Sequence, residues 1–365
     1  MTSTIAVLGR HLEEALHQDF AKPALSRGQK AHIKELYQRD NYHGFIALAQ
    51  DITWIAIAIT LPVVFSFWLY PLSILIIGAR QRALASLLHE AAHGTLFKNH
   101  VLNASAGRVF CGWPILQSFG AYRQSHVLNH HPKLGEEADD PDLRYMMAEG
   151  VYDNHSRSAF LGRYVMGPLL GTRTVKYAWF LLRDRLIGPL QTREHRFEAI
   201  AVALFNVAAA IVTYQQNTLI YILLFWWVPF LIIHPIIGWF SELSEHFPMM
   251  KNWTDNPIYS SRNRYASLAE AFFIGSHGDN YHLTHHLLPG IPHWNLKKAT
   301  RILREDDDFR TWDDTWDDTW DDTWGGIFTS RNPSQISLLD YIINYHKFRS
   351  ANSQIMLPSY AETTI

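Results

Sequence analysis

Twenty histidines stand in this 365-residue chain, and eight of them fall into three tight clusters. The first is His89-Glu-Ala-Ala-His93, the second His126-Val-Leu-Asn-His130-His131, and the third His282-Leu-Thr-His285-His286. A lone His246 closes the segment Glu242-Leu-Ser-Glu-His246. A spacing of four residues on a helix puts two imidazoles on one face, as ligation from a helix requires. Neutral imidazole is the commonest metal ligand and is costly to bury without a partner. Each cluster alone is weak. HEAAH also fits the H-E-x-x-H pattern of zinc hydrolases, and adjacent histidines are common at surfaces. A zinc hydrolase site, however, uses two histidines, a glutamate base and one further ligand. It leaves the other clusters without a purpose. Nine imidazoles suit two metals, and nitrogen-rich sites with open positions suit redox iron.

Such a centre needs elements that bring distant clusters together. Residues 45–79 are apolar apart from Asp51, too long for one span of about 20 residues and suited to a tight helical hairpin with Pro71 near its turn. A second apolar block, residues 199–240, is broken only by the uncharged stretch from Tyr214 to Thr218. The expected fold is therefore all-α and integral to the membrane. It has four transmembrane helices in two hairpins and a cytosolic helical cap carrying the histidine clusters. Neither hairpin turn holds Lys or Arg, whereas the first 44 residues, the middle segment and the C-terminal part hold many. The positive-inside rule then makes both termini and the clusters cytoplasmic. Residues 155–197 alternate apolar runs with Arg and Lys, which suits amphipathic helices on the membrane face.

Composition agrees. Charged residues are 18%, below the roughly 25% of soluble domains, and hydrophobic residues reach 48%. A net charge of −2 gives nucleic acid no reason to bind. One cysteine, Cys111, excludes an internal disulfide and cysteine-based metal motifs. The first 40 residues show no apolar signal-peptide core.

The order HxxxH, HxxxHH, HxxHH over paired hydrophobic blocks resembles the membrane-bound fatty acid desaturase superfamily. So do the run GDNYHLTHHLLPGIPHWNL (Gly278 to Leu296) and the acidic segment Asp139-Asp140-Pro141-Asp142. The resemblance covers roughly residues 45–300. It leaves residues 1–44 as a cytosolic N-terminal segment and 301–365 as a cytosolic tail. It implies two irons bound by His89, His93, His126, His130, His131, His246, His282, His285 and His286. A tenth position falls at Glu242, where stearoyl-CoA-type relatives carry Asn; a carboxylate there would bind iron directly or tune it. The implied reaction is oxygen-dependent insertion of a C=C bond into an acyl chain of a lipid, an acyl-CoA or an acyl-carrier protein. Electrons would come from a separate ferredoxin or cytochrome b5, since the haem motif HPGG is absent. A bacterial inner membrane is the expected location. The rival reactions are hydroxylation or ketolation of a lipid or carotenoid, and desaturation of a small non-lipid metabolite. A membrane zinc hydrolase is the rival from another class, and bound metal separates it from the rest.

Three expectations remain. An acyl chain would enter a long apolar tunnel between the spans, while Trp113, Tyr122 and Trp239 fit an interfacial aromatic belt better than the tunnel mouth. His277 and His293 suit hydrogen-bond partners of the ligands, and His100, His155, His195 and His234 read as surface or interfacial. The period-four run TWDDTWDDTWDDTW, residues 311–324, reads as an exposed acidic loop expanded by duplication, with a docking patch for a partner as the alternative.

Overall fold

The computed structural model describes residues 23, 25–153, 155–180, 183, 192–247, 257–264 and 268–316. Every regular element among them is helical. Helix α1 (Arg27–Leu36) starts at a capping box in which Ser26 and Gln29 satisfy each other's backbone N–H. Two long apolar helices follow, α2 (His43–Phe65) and α3 (Phe67–His93). Between them Ser66 is fully extended and accepts a hydrogen bond from Trp68 N, which breaks the helix in one residue. Pro71 then falls in the first turn of the α-helical part of α3, where its missing N–H costs nothing.

Helix α3 is the centre of the molecule. It packs along α2 on one side and along α8 (below) on the other. Of its apolar window, 72% is buried, far more than for any other span. Small residues permit this close approach. Gly78 faces Ile233, and an added Cβ would overlap the Ile233 side chain. The helix ends at Gly94, whose φ of 76° provides a left-handed cap.

The middle segment folds as α4 (His100–Ala106), α5 (Phe119–Ser125) and α6 (Pro141–Ala148), joined by irregular turns. Two further apolar helices, α7 (Arg193–Gln215) and α8 (Leu219–His246), are long enough to cross a membrane. After them come α9 (His282–Leu287), α10 (His293–Leu303) and α11 (Asp307–Trp316). Only 11% of the apolar window of α7 is buried. Val64, Phe65, Phe67 and Trp68, at the turn between α2 and α3, are all more than 60% exposed. Apolar surface on this scale needs hydrocarbon or headgroup contact.

Several expectations shift. The first apolar block does not end at residue 79. Helix α3 runs on to His93, so the first histidine cluster is its last turns and does not lie beyond it. The polar residues that mark a boundary in sequence are satisfied inside: Arg80 pairs with Asp51 at 3.1 Å, and Gln81 donates to Trp226 O at 2.8 Å. His246 is likewise the last residue of α8. His234 is fully buried against the Tyr177 hydroxyl, 3.0 Å away, and is not a surface residue. The TWDD run does not begin as an exposed loop: Trp312 and Asp313 lie in α11 and are 1% exposed. Its later units, from residue 317, lie outside the described residues.

Candidate metal centre

The nine box histidines converge from four elements. His89 and His93 project from the last turns of α3, His126 and His131 from the turn after α5, and His285 from α9. Their ligand nitrogens all lie within 4.8 Å of one another. A second group of the same kind joins His130, His246 and His286. His282 Nε2 stands 2.9 Å from His246 Nε2 and 3.1 Å from His286 Nε2, which brings a fourth imidazole to that group. The division is five and four.

A local distortion produces it. The residues after α5, His126–His130, form a π turn closed by His131 N bonding to His126 O at 3.0 Å. Single π turns inside helices cluster at functional sites. On a regular α-helix His126 and His130 would share a face. The wider turn instead brings His131 Nε2 to 3.2 Å from His126 Nε2, in the first group, and sends His130 to the second. Sequence spacing pairs 126 with 130; the backbone adds 131 beside 126, while His126, His130 and Asp142 still hold ligand atoms within 4.8 Å of one another.

The nitrogens fit metal ions. With metal–nitrogen bonds of roughly 2.1 Å, ligands at right angles sit about 3 Å apart. His131 Nε2 and His285 Nε2 are 3.2 Å apart, and three further pairs lie between 2.9 and 3.2 Å. The buried Nε2 atoms of His89, His93 and His130 have no hydrogen-bond partner among the described residues. A buried polar atom left in this way calls for a ligand. Protonation state agrees. Burial, then repulsion among the imidazoles, holds His126, His131, His282 and His286 well below the ordinary histidine value. Burial lowers His285 to about 4. These rings are neutral, the form that ligates. His130 differs: burial opposes its charge, but Asp142 and Asp140 outweigh burial and raise it to about 9. A cation bound at Nε2 would satisfy those carboxylates in place of the proton.

The ring orientations are set from behind. Asp140 accepts from His130 Nδ1 at 2.9 Å, which leaves Nε2 for a metal. The same carboxylate caps α6 through Leu143 N and Asp142 N, with Pro141 opening the helix. This explains the acidic-proline segment. His246 Nδ1 donates to Ser260 O at 3.3 Å. Glu90 accepts from Thr95 and from His293 N. His277 Nε2 bonds Asp51 at 2.7 Å. His277 and His293 are thus tied to carboxylates around the centre.

A narrow cavity opens against both groups, with about 80 Å³ open to the centre of a water molecule. His89, His126, His130, His246 and His282 form one wall. Tyr122 and Trp239 line the cavity, and Trp239 is 2% exposed, so neither belongs to an interfacial belt. Trp113 is partly buried against Phe205 and does not reach it. The rest of the lining is mixed: Ala85, Tyr145, Tyr177, Phe180 and Gly238 stand beside the polar Arg82, Gln117, Asp142, Glu242, Glu245 and Asp279. Glu242 faces the cavity, but its carboxylate is outside the groups of mutually close ligand atoms. Burial alone would raise Asp279, but the guanidiniums of Arg82 and Arg264 outweigh it and hold the carboxyl below its usual range. The Gln117 amide oxygen is buried without a partner among the described residues.

Sequence reasoning missed Arg82, Gln117, Asp51 and Arg264 as parts of the site. The available signal was charge inside or beside an apolar block, which marks a functional interior in a membrane protein.

A family model described as "Fatty acid desaturase" matches residues 23–315. The chain is 38% identical over 289 residues to a dihydrorhizobitoxine desaturase of Bradyrhizobium elkanii, covering 78% of this chain and 81% of that one. It is 24% identical over 290 residues to an endoplasmic-reticulum omega-3 fatty acid desaturase of Nicotiana tabacum, covering 74% of each. A sphingolipid delta(4)-desaturase of Drosophila melanogaster is 24% identical over 276 residues, covering 75% of this chain and 78% of that one. With nine histidines converging in two groups and a family match spanning most of its length, this chain belongs to the fatty acid desaturase family.

Proposed function

We propose that the chain is a membrane di-iron desaturase whose substrate is a small polar metabolite and not a lipid acyl chain. The observation that carries this is Arg82. It lies seven residues before His89 on α3, about 10 Å farther into the span at 1.5 Å per residue. Glu242 lies four residues before His246 on α8, about 6 Å in. Both line the cavity that touches the histidines. An apolar tunnel leading from the metals into the bilayer would have to pass these polar groups and strip them of partners, at several kcal/mol for the Arg82 charge. A substrate with its own charged or hydrogen-bonding groups would replace those partners. Similarity to the dihydrorhizobitoxine desaturase supports a non-acyl substrate.

His89, His93, His126, His131 and His285 would hold one iron, and His130, His246, His282 and His286 the other, with Glu242 facing the second as its tenth residue. Bound there, two irons supply the oxygen-dependent oxidising power needed to take two hydrogens from adjacent saturated carbons. The balance is one substrate, O2, two electrons and two protons giving the alkene and two waters. The electrons come from a separate one-electron carrier such as ferredoxin or cytochrome b5. The protein's residues bind and orient. Arg82 takes an anionic or acceptor group, and Gln117 and Glu242 take donors. Tyr122 and Trp239 wall the reacting carbons against the histidines and keep bulk water out. The acidic lining also balances the charge of the metals.

The test is expression in a bacterial host beside a His285→Ala control, with bound metal, total fatty acids and polar metabolites measured. Two irons per chain and a polar metabolite two mass units lighter than its precursor, absent from the control, are expected. A His285-dependent unsaturated fatty acid would return the acyl reading. Zinc without iron would sink the desaturase itself.

A further inference from the structure

The TWDD run is the one prominent sequence feature that the reaction leaves unused. Its first unit lies against the metal centre. Between α8 and α9 the chain passes through residues 260–264, a strap pressed on the end of α8. Ser260 O accepts from His246 Nδ1, and Ser261 Oγ donates to Glu245 O at 3.2 Å. Arg264 reaches Glu245 at 2.8 Å and Asp279 at 2.9 Å. The strap thereby sets the ring of one ligand of the second group.

The outer side of the strap is held by α11. Trp312 Nε1 donates to Ser261 O at 2.9 Å. Asp313 accepts from Asn263 Nδ2 at 2.9 Å, and its other oxygen accepts from Arg304. Asn263 passes this on: its own oxygen accepts from Thr284 N at 3.2 Å, inside the third cluster between His282 and His285. The Trp312 ring packs in the same apolar cluster as Leu283 and Leu287 of α9. Trp312, Asp313 and Asn263 are all nearly fully buried. One unit of the repeat is therefore bonded to the backbone that carries His246, His282 and His286.

We propose that Trp312 and Asp313, in the first TWDD unit, act as a clasp that positions the second metal group. The proposal rests on the reading that His130, His246, His282 and His286 hold one of two irons. His89, His93, His126 and His131 receive no bond from the clasp or the strap among the described residues; of the first group only His285 shares α9 with it. Its effect falls chiefly on the second group, three of whose four ligands lie on the backbone it holds.

The experiment is an anaerobic iron titration of the full-length apoprotein, followed by Mössbauer spectra of the loaded chains. Two binding steps in the unaltered protein establish the premise; a single step would remove the two-iron reading itself. Trp312→Phe keeps the apolar ring and loses the donor to Ser261. Asp313→Ala loses the acceptor for Asn263. Each is expected to weaken one step about 10-fold or more and to alter one iron environment, with circular dichroism unchanged. The proposal is overturned by both steps staying unchanged, even with a lower melting temperature, or by both weakening together. Should Asp313→Ala fail to fold, the gentler Trp312→Phe decides the question alone.

Discussion

Arg82 and Asp140 illustrate two ways in which a single side chain can serve this centre. Arg82 faces the cavity with Asp279 at 3.6 Å and donates to Ser86 Oγ at 3.2 Å, and its five N–H groups leave donors for a further acceptor. Asp279 keeps Arg264 at 2.9 Å when Arg82 turns away. Arg82→Leu should therefore leave iron binding intact and lower kcat/KM for the polar substrate about 10- to 100-fold, the loss of one charge-assisted hydrogen bond. Steady-state kinetics beside an iron assay check this, and an unchanged kcat/KM would remove Arg82 from recognition. Asp140 works one atom further out. It never faces the cavity but fixes which nitrogen of His130 points at the metal. Asp140→Asn keeps the cap of α6 and replaces an acceptor by an amide that can present N–H to Nδ1. Iron affinity at one position should fall about 10- to 100-fold with helix content retained. Equal affinity in a calorimetric titration would show that His130 needs no such support.

The helices bring these residues together by being thin where they meet. Gly78 on α3 touches Ile233 on α8, and the first histidine cluster and His246 lie at the same ends of those two helices. Gly78→Leu must push the helices apart, and overpacking of this kind costs about 1–3 kcal/mol. Lower thermal stability and reduced iron content together are expected; retention of both would mean that α8 has slack. The buried pair Asp51–Arg80 fastens α2 to α3, and Asp51 also holds His277. Asp51→Ala leaves the buried Arg80 guanidinium without its counter-charge, held only by Phe272 O and Ser276 Oγ, at about 3–5 kcal/mol, read as a fall in thermal stability.

Much of this architecture was legible beforehand because hydrophobic length and histidine spacing are local properties. The four apolar helices and the three clusters could be read from runs of residues alone. What stayed hidden depends on partners far along the chain. Arg80 and Gln81 read as the end of a span until Asp51 and Trp226 are seen beside them. The exchange of His130 for His131 between the two groups follows from a π turn that no spacing rule contains. Trp312 looked solvent-exposed because the repeat is acidic, and only the strap at residue 261 shows what it covers.

At the scale of the molecule, charge and cysteine content together make orientation testable. Helices α2, α7 and α8 leave most of their apolar windows unburied, so the chain should stay with membranes through alkaline carbonate washing. The histidine-bearing ends of α3 and α8 meet at one centre, which fixes both ends to the same side. The turns at Ser66 and Asn217 are then on the opposite side, one helix length away. Lys98 and Lys298 lie on the side of the centre, and both are exposed. The positive-inside rule predicts a cytoplasmic location for that side. Cys111 is fully buried, and burial pushes its thiol far above the ordinary range, so the native chain offers a membrane-impermeant maleimide nothing to label. Single cysteines introduced into this background report position directly. Ser66→Cys and Asn217→Cys should label from the outer face of intact cells, whereas Lys98→Cys and Lys298→Cys should label only after the membrane is opened. Opposite behaviour at both pairs would invert the protein. Labelling of Ser66→Cys and Lys98→Cys from the same side would mean that α3 does not cross, and the charged cavity along it would then open to water and not to the bilayer interior.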